Sequence, residues 1–255
     1  MAPPDPRIAE QPSILHAMND SARRLTQLLA CRHGPFHGEP DMRAVARELL
    51  VVLEQDADIA LAAILLNQIA GTHAVRHSIE TALLAMLVGH SMAQPHAELL
   101  DTGVAALAMA AGAQPNSQTA ALLGLASRYC QLVSSQNYLR SALPDQALQT
   151  IFLDAGSAAE APLAEHFMQV LGKYPPGTLV RLRSGELAVV VRRSGPLVHP
   201  LTTPHGVALA PDELARALPR VAGVAPACAI VGAVHEAQAQ LHFSMRHVWG
   251  DAARL

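Results

Sequence analysis

Apolar residues in the first two thirds of the chain recur every three or four positions, which is the spacing of amphipathic helices. The clearest case is Ile14–Ala30, where Ile14, Leu15, Met18 and Leu25 share one face. Asp41 is placed to cap the next helix, and Asp56 or Asp58 to cap the one after it. The pattern therefore predicts a series of helices over residues 14–30, 41–53, 59–69, 74–90, 97–111, 119–133, 147–153 and 161–171.

The pattern changes after Lys173. Residues 178–182 and 187–192 are short strand-like runs on either side of Ser184-Gly185, which predicts a β-hairpin. Residues 197–201 are a candidate third strand, Pro211 opens a short helix, and 226–249 again has a helical pattern. The predicted fold is mainly α, with a leader and helix (1–40), a helical domain (41–172), and a small β element with a C-terminal helix (173–255).

Composition narrows the classes of function. Of the 255 residues, 51% are hydrophobic and only 15% charged, so a sizeable core is expected. The net charge of −3 provides no general attraction for nucleic acid or anionic lipid. The apolar stretches are shorter than the roughly 20 residues that a membrane span needs, and the N-terminus lacks a secretory pattern. Three cysteines without a Cys-x-x-Cys pair are typical of reduced thiols, which favours a cytoplasmic protein without membrane or nucleic-acid partners.

Several segments resemble the HD-GYP proteins, which hydrolyse cyclic di-GMP. The stretch 73–89, with Arg-His-Ser before an Ala/Leu-rich helix, resembles the helix that presents the family's first metal-binding histidine, here His77. Residues 103–113 are similar to the family's Gly-Leu-Ala-Ala-Leu-Leu-His-Asp-Ile-Gly-Lys, but Met109 and Ala110 stand in place of His-Asp. Ser127 replaces a later carboxylate, the Gly-Tyr-Pro stretch is missing, and residues 171–191 are similar to the family's β tail. The resemblance covers about residues 41–193 and implies a degenerate, HD-like helical domain.

A metal site would need more ligands than the matching positions supply. Activating water for phosphodiester hydrolysis requires a cation held by several donors. His73 lies one helical turn before His77, so the two could form a two-ligand site, or both could be structural. Cys31, His33 and His37 have a spacing that could suit zinc, but no further ligand pair accompanies them. No cofactor is therefore expected, or a divalent Mn, Fe or Zn ion if a reduced site persists.

Four arginines on the predicted hairpin are candidate ligand-binding residues. Arg181, Arg183, Arg192 and Arg193 could together hold a phosphate group, although strand faces exposed to water are often basic. A nucleotide such as cyclic di-GMP is the ligand that the family resemblance implies for them.

Three functional hypotheses follow. The first is a non-catalytic signalling or protein-interaction module, linked to cyclic di-GMP signalling, that binds a partner protein or forms a homodimer. Loss of the metal-binding loop would leave apolar helix faces, such as those of Leu107 and Leu122, to pack together or to receive another chain. The second is a nucleotide-binding sensor. The third is a metal-dependent phosphohydrolase with a reduced site.

Overall fold

The predicted mainly α fold with a small β element after the helices is confirmed. The computed structural model describes residues 13–30, 38–117, 119–134, 141–154 and 160–255. The helices of the first two thirds are α1 (Ile14–Ala30), α2 (Gly38–Leu65), α3 (His73–Ser91), α4 (His96–Ala108), α5 (Ala120–Val133), α6 (Pro144–Asp154) and α7 (Ala161–Leu171), with a 3₁₀ turn at Met109–Ala111.

Helix α2 begins earlier than the sequence predicts and is kinked. Because it starts at Gly38, Asp41 lies inside the helix, and the prediction that Asp41 caps it is wrong. The predicted break is present at Asp56, where the backbone is extended (φ −160°, ψ 95°). Asp56 Oδ1 accepts hydrogen bonds from the backbone N–H groups of Asp58 (3.0 Å) and Ile59 (3.2 Å), so Asp56 is the cap of the second half.

Helix α3 is the centre of the helical core. Every residue from Ser78 to Gly89 is buried, and α3 contacts α1, α2, α4, α5 and α7. Most residues of this stretch are apolar, and a helix with apolar residues on every side is typically enclosed in this way. Leu107 and Leu122 are also buried, so the helix faces expected to lose their cover have packed into this core and offer no surface to another chain. In the described part of the chain, every helix falls short of the length and apolar character that crossing a membrane requires.

The last third forms a five-stranded antiparallel sheet with the order β4-β3-β2-β1-β5. The prediction of a helix over residues 226–249 is wrong for most of the segment, which forms a 3₁₀ turn, a strand and two short helices. The β-branched Ile230 and Val231 favour a strand, and pairing with β1 supplies its backbone hydrogen bonds. The elements are β1 (Leu179–Leu182), β2 (Leu187–Arg192), β3 (Leu197–Pro200), α8 (Pro211–Arg216), β4 (Arg220–Val221), β5 (Ile230–Ala233), α9 (Glu236–Ala239) and α10 (Met245–Trp249).

The sheet is docked on the second half of α2, which ends at Leu65 and not at the predicted Ile69. Gly177 makes this close approach possible, because a Cβ atom there would lie 2.8 Å from the Cα of Ala62. Its φ of +93° also favours glycine. The Gly177 N–H donates to the carbonyl of Val190 (2.8 Å), which ties the turn to β2.

The C-terminal segment returns to the helical body. Met245 and Ala253 are buried in the helical core, and Ser13 Oγ, just before α1, hydrogen-bonds the carbonyl oxygens of Ala252 (3.3 Å) and Arg254. The two ends of the described chain therefore meet, and the sheet is attached to the helices at both its beginning and its end.

Candidate functional site

His77, which the HD-GYP resemblance aligns with a first metal-ligand position, lies on the first turns of α3 and faces α5. Its Nε2 atom is 2.9 Å from Ser127 Oγ. Thr72 caps the helix through a hydrogen bond from the Val75 N–H (3.4 Å), which places His73 and His77 one turn apart on the same side. Their rings are stacked, with centroids 5.8 Å apart and an interplanar angle of 7°.

This arrangement does not fit a divalent metal ion. The lone pair of an imidazole nitrogen lies in the ring plane, so the lone pairs of two stacked rings do not converge on one point. Ser127, where the family resemblance places a carboxylate, hydrogen-bonds the His77 Nε2 atom instead. Across the described ranges, no group of three or more His, Cys, Asp or Glu side chains is arranged to hold an ion.

The electrostatic environment also disfavours a charged His77. Burial lowers its pKa, and the neighbouring His73 and Arg76 lower it further. A neutral imidazole at physiological pH is suited to the Ser127 hydrogen bond. The positions that match the family's His-Asp pair, Met109 and Ala110, form the 3₁₀ turn that contacts α3 and carry neither an imidazole nor a carboxylate.

Next to His77 on α3 lies an ion pair that sequence reasoning missed, formed by the partly exposed Arg76 and the buried Glu80. Glu80 is only 1% exposed, and burial raises its pKa to about 7 despite the opposing effects of Arg76 and Ser134. Arg76 Nε lies 3.7 Å from Glu80 Oε1, too far for a hydrogen bond, and both atoms lack a hydrogen-bond partner. Ser134 Oγ donates to Glu80 Oε2 (3.3 Å). The i,i+4 spacing of Arg76 and Glu80 was a visible signal in the sequence, but the burial of Glu80 was not.

Tyr129 and Cys130 are buried side chains of helix α5 that could in principle act as nucleophiles, but neither is activated. Cys130, on α5, is a free and fully buried cysteine, and burial raises the pKa of its thiol well above the ordinary value. Burial likewise raises the pKa of the Tyr129 hydroxyl. Both groups therefore stay protonated near neutral pH. The species that attacks in nucleophilic catalysis would be the deprotonated thiolate or phenolate, so neither group is activated.

The four hairpin arginines do not lie in one cluster. Arg181 is opposite Leu187, the first residue of β2, whereas Arg192 is the last residue of that strand, so the two lie toward opposite ends of the hairpin. Both Arg181 and Arg183 are exposed, and neither forms an ion pair with another described residue.

Arg192 and Arg193 bind the kink of α2. Arg193 Nε is 2.6 Å from Asp58 Oδ1, and its Nη1 donates to the Val170 carbonyl (3.4 Å). Arg192 lies 3.5 Å from Asp56 and 3.7 Å from Asp58. The charges of these two arginines are thus balanced by carboxylates, and their evident role is to attach the sheet to the helices.

A cavity of about 200 Å³ lies where the helices, the sheet and the C-terminal segment meet. It is lined by the residues after α2, the end of α5, the residues before α6, the start of β1 and the segment 234–245. No local pattern could reveal it, because its walls come from five separate parts of the sequence. The predicted zinc candidates Cys31, His33 and His37 lie outside the described residues.

Comparison with known proteins adds no relative: no family model matches the chain, and neither a curated protein nor a solved structure has significant similarity to it. The HD-GYP resemblance therefore stays a prediction from sequence motifs.

Proposed function

We propose that the chain is a non-catalytic, HD-GYP-like signalling module that acts by binding protein, with a second copy of itself as the first partner to test. The observation that carries the proposal is the hydrogen bond between His77 and Ser127 at the position where the family resemblance implies metal ligation. The proposed pathway, cyclic di-GMP signalling, follows from the resemblance alone.

The chemistry of the site supports a loss of catalysis. Phosphodiester hydrolysis in such a site depends on a cation that converts bound water into a nucleophile near neutral pH. His73 and His77 supply two stacked rings, and the His77 ring is already engaged by Ser127. The experiment is to measure Mn, Fe and Zn content and cyclic di-GMP turnover on the same purified sample. Stoichiometric metal together with turnover would restore the phosphohydrolase hypothesis and refute this one.

The proposed binding surface is the β4 edge surface, which consists of Leu218, Val221 and Val224. Leu218 is 80% and Val224 79% exposed, and Val221, in β4 itself, is 45% exposed. Strand β4 is the last strand at its side of the sheet, so its outer backbone groups have no strand partner among the described residues. Exposed apolar side chains along an unpaired edge are typical of a surface that another chain covers.

Light scattering over a wide concentration range tests this surface. We expect a dimer that dissociates on dilution, and we expect the double substitution Leu218→Glu and Val224→Glu to abolish it. Leu153→Glu is a matched control, because Leu153 is an equally exposed aliphatic residue (72%) on α6. A protein that is monomeric at every concentration, or a dimer that the double substitution leaves intact, would refute self-association through this edge.

A cytoplasmic location is part of the proposal. Cys130 and Cys228 are free, buried thiols, and an odd number of cysteines without Cys-x-x-Cys spacing is more typical of a reducing compartment. Fractionation of cells that produce the protein tests the location, and recovery of the protein outside the cytoplasmic fraction would contradict it.

A nucleotide sensor is the second candidate function, and the exposed pair Arg181 and Arg183 favours it. Two guanidinium groups that are not ion-paired to described residues could each form bidentate hydrogen bonds to a phosphate. Calorimetric titration with cyclic di-GMP tests it. Binding that Arg181→Ala plus Arg183→Ala removes, and that Arg47→Ala on exposed α2 surface leaves unchanged, would support this function. Absence of heat at high nucleotide concentration would eliminate it.

A further inference from the structure

The cavity at the junction of helices and sheet has the size and wall chemistry of a binding site for a small ring compound. A water molecule occupies about 30 Å³ of liquid, and a dry cavity of about 150 Å³ accommodates benzene, so about 200 Å³ is enough for one ring system with small substituents. None of the four hairpin arginines belongs to its lining, so this site is distinct from the one that they would form.

The charges of the walls favour an uncharged ligand over an anionic one. Among the described residues, the lining includes Glu236, His235 and His242 but no lysine or arginine. A phosphate or carboxylate placed there would lose its hydration without gaining a permanently charged partner from these residues. The apolar part of the wall includes Leu143, Leu179 and the aromatic residue Phe243, and a flat ring can pack against such a wall. The preferred ligand is therefore uncharged and planar.

Hydrogen bonds of His235 fix the orientation of a polar group in the cavity wall. Its Nδ1 accepts a hydrogen bond from the Ala237 N–H (3.2 Å), which caps α9. A neutral imidazole that accepts at Nδ1 carries its proton on Nε2, so Nε2 donates to Ser141 Oγ, 3.1 Å away. The hydroxyl proton of Ser141 is then left over as a donor at the cavity wall.

Asn67 adds a second polar group to the same wall. It follows α2 in the left-handed region (φ 52°), a conformation that non-glycine residues seldom adopt. Its backbone N–H bonds the Ile64 carbonyl (3.1 Å), but its side-chain amide has no hydrogen-bond partner among the described residues. One amide provides both a donor and an acceptor. Asn67 and the Ser141 hydroxyl together present two donor groups and one acceptor group to the cavity.

We propose that this cavity binds a small, uncharged nitrogen heterocycle, packed beside Phe243 and hydrogen-bonded by Asn67 and Ser141. Ring nitrogens with lone pairs would accept from the Ser141 hydroxyl and the Asn67 amide, and a ring N–H or amino group would donate to the Asn67 carbonyl. The inference is independent of the proposed protein partner and of the hairpin arginines.

The experiment uses adenine as the probe, with the full chain followed by calorimetry and by NMR of the Phe243 ring. Adenosine 5′-monophosphate tests the exclusion of anions, and indole tests the polar recognition because it is flat and bicyclic but lacks ring acceptors. We expect adenine to bind and to shift the Phe243 signals, indole to bind about tenfold more weakly or less, and the monophosphate not to bind at this site.

Two substitutions assign the binding to this wall. Asn67→Gly removes the amide while keeping the left-handed backbone accessible, and Ser141→Ala removes the hydroxyl donor. Ala93→Gly is the matched control, because Ala93 is also a left-handed non-glycine residue (φ 57°) but does not line the cavity. We expect either test substitution to weaken adenine binding about tenfold and the control to leave it unchanged. The proposal is overturned if adenine does not bind, if indole binds as tightly, or if both test variants bind like the wild type.

Discussion

Replacing Glu80 by glutamine should stabilise the protein at alkaline pH and leave it nearly unchanged at acidic pH. The folded-state pKa of Glu80 is about 7, against an ordinary value of 4.5. Since each pKa unit corresponds to about 1.4 kcal/mol, keeping this carboxylate ionised in the folded protein costs about 3 kcal/mol. Glutamine has almost the same shape, carries no charge, and can still accept the hydrogen bond from Ser134.

The sign of the pH dependence follows from which state holds the proton more tightly. The folded state does so here, because its pKa is the higher one. The stabilising contribution of protonated Glu80 is complete below about pH 4.5 and is lost as the pH rises through about 7. The stability advantage of Glu80→Gln over the wild type should therefore grow from near zero at pH 4.5 to about 3 kcal/mol at pH 8.

Urea denaturation followed by circular dichroism, repeated across this pH range, measures the difference. The comparison with the wild type is necessary because the contribution of His77 to stability has the opposite pH dependence. The pKa of His77 is lowered in the folded protein, so stability falls as the pH drops below the ordinary histidine value of 6.5. This contribution cancels between the two proteins. Glu54→Gln, at an exposed position of α2, is the control and should give a flat difference. The reasoning is refuted if Glu80→Gln is also flat, or if it becomes less stable than the wild type at pH 8, which would mean that attraction to Arg76 outweighs burial.

Three further predictions concern packing, and each is checked by denaturant unfolding. Arg193→Ala should lower the free energy of unfolding by about 3 kcal/mol, because it leaves the buried Asp58 without its 2.6 Å partner. Adding Asp58→Ala should recover part of that loss, and strictly additive losses in the double variant would contradict the coupling. Gly177→Ala should cost at least about 2 kcal/mol, since it adds a strained φ to a clash with the backbone of α2; a neutral effect would show that the sheet can shift. Phe167→Ala should cost about 3–5 kcal/mol because Phe167 is fully buried, whereas Phe152→Ala, 44% exposed, should cost far less.

The kink of α2 shows how one short motif has two roles. The pattern of residues 56–58 predicted a helix boundary, and Asp56 does cap the second half of the helix. The same pair of carboxylates also receives Arg192 and Arg193 from the end of β2. The first role depends on neighbours in sequence and could be predicted. The second joins residues about 135 positions apart and depends on how the sheet docks.

The sequence alone determined the elements whose signals are local. The 3.6-residue periodicity located most helices to within a few residues, and the strand-like runs around Ser184-Gly185 located the hairpin, because helix and hairpin hydrogen bonds join near neighbours. It also placed His73 and His77 on one helix face. It failed for β4 and β5, because a two-residue strand has no measurable period and β5 is defined by its pairing with the distant β1.

Only the tertiary structure decided what the candidate side chains do. Whether His77 faces an ion or Ser127, whether Glu80 is solvated or enclosed, and which arginines are already paired all depend on contacts between segments far apart in the chain. The cavity beside Asn67 is the extreme case, since it exists only where five segments meet. Side-chain chemistry is set by burial and by partners, and the folded chain assigns both through contacts that local periodicity does not encode.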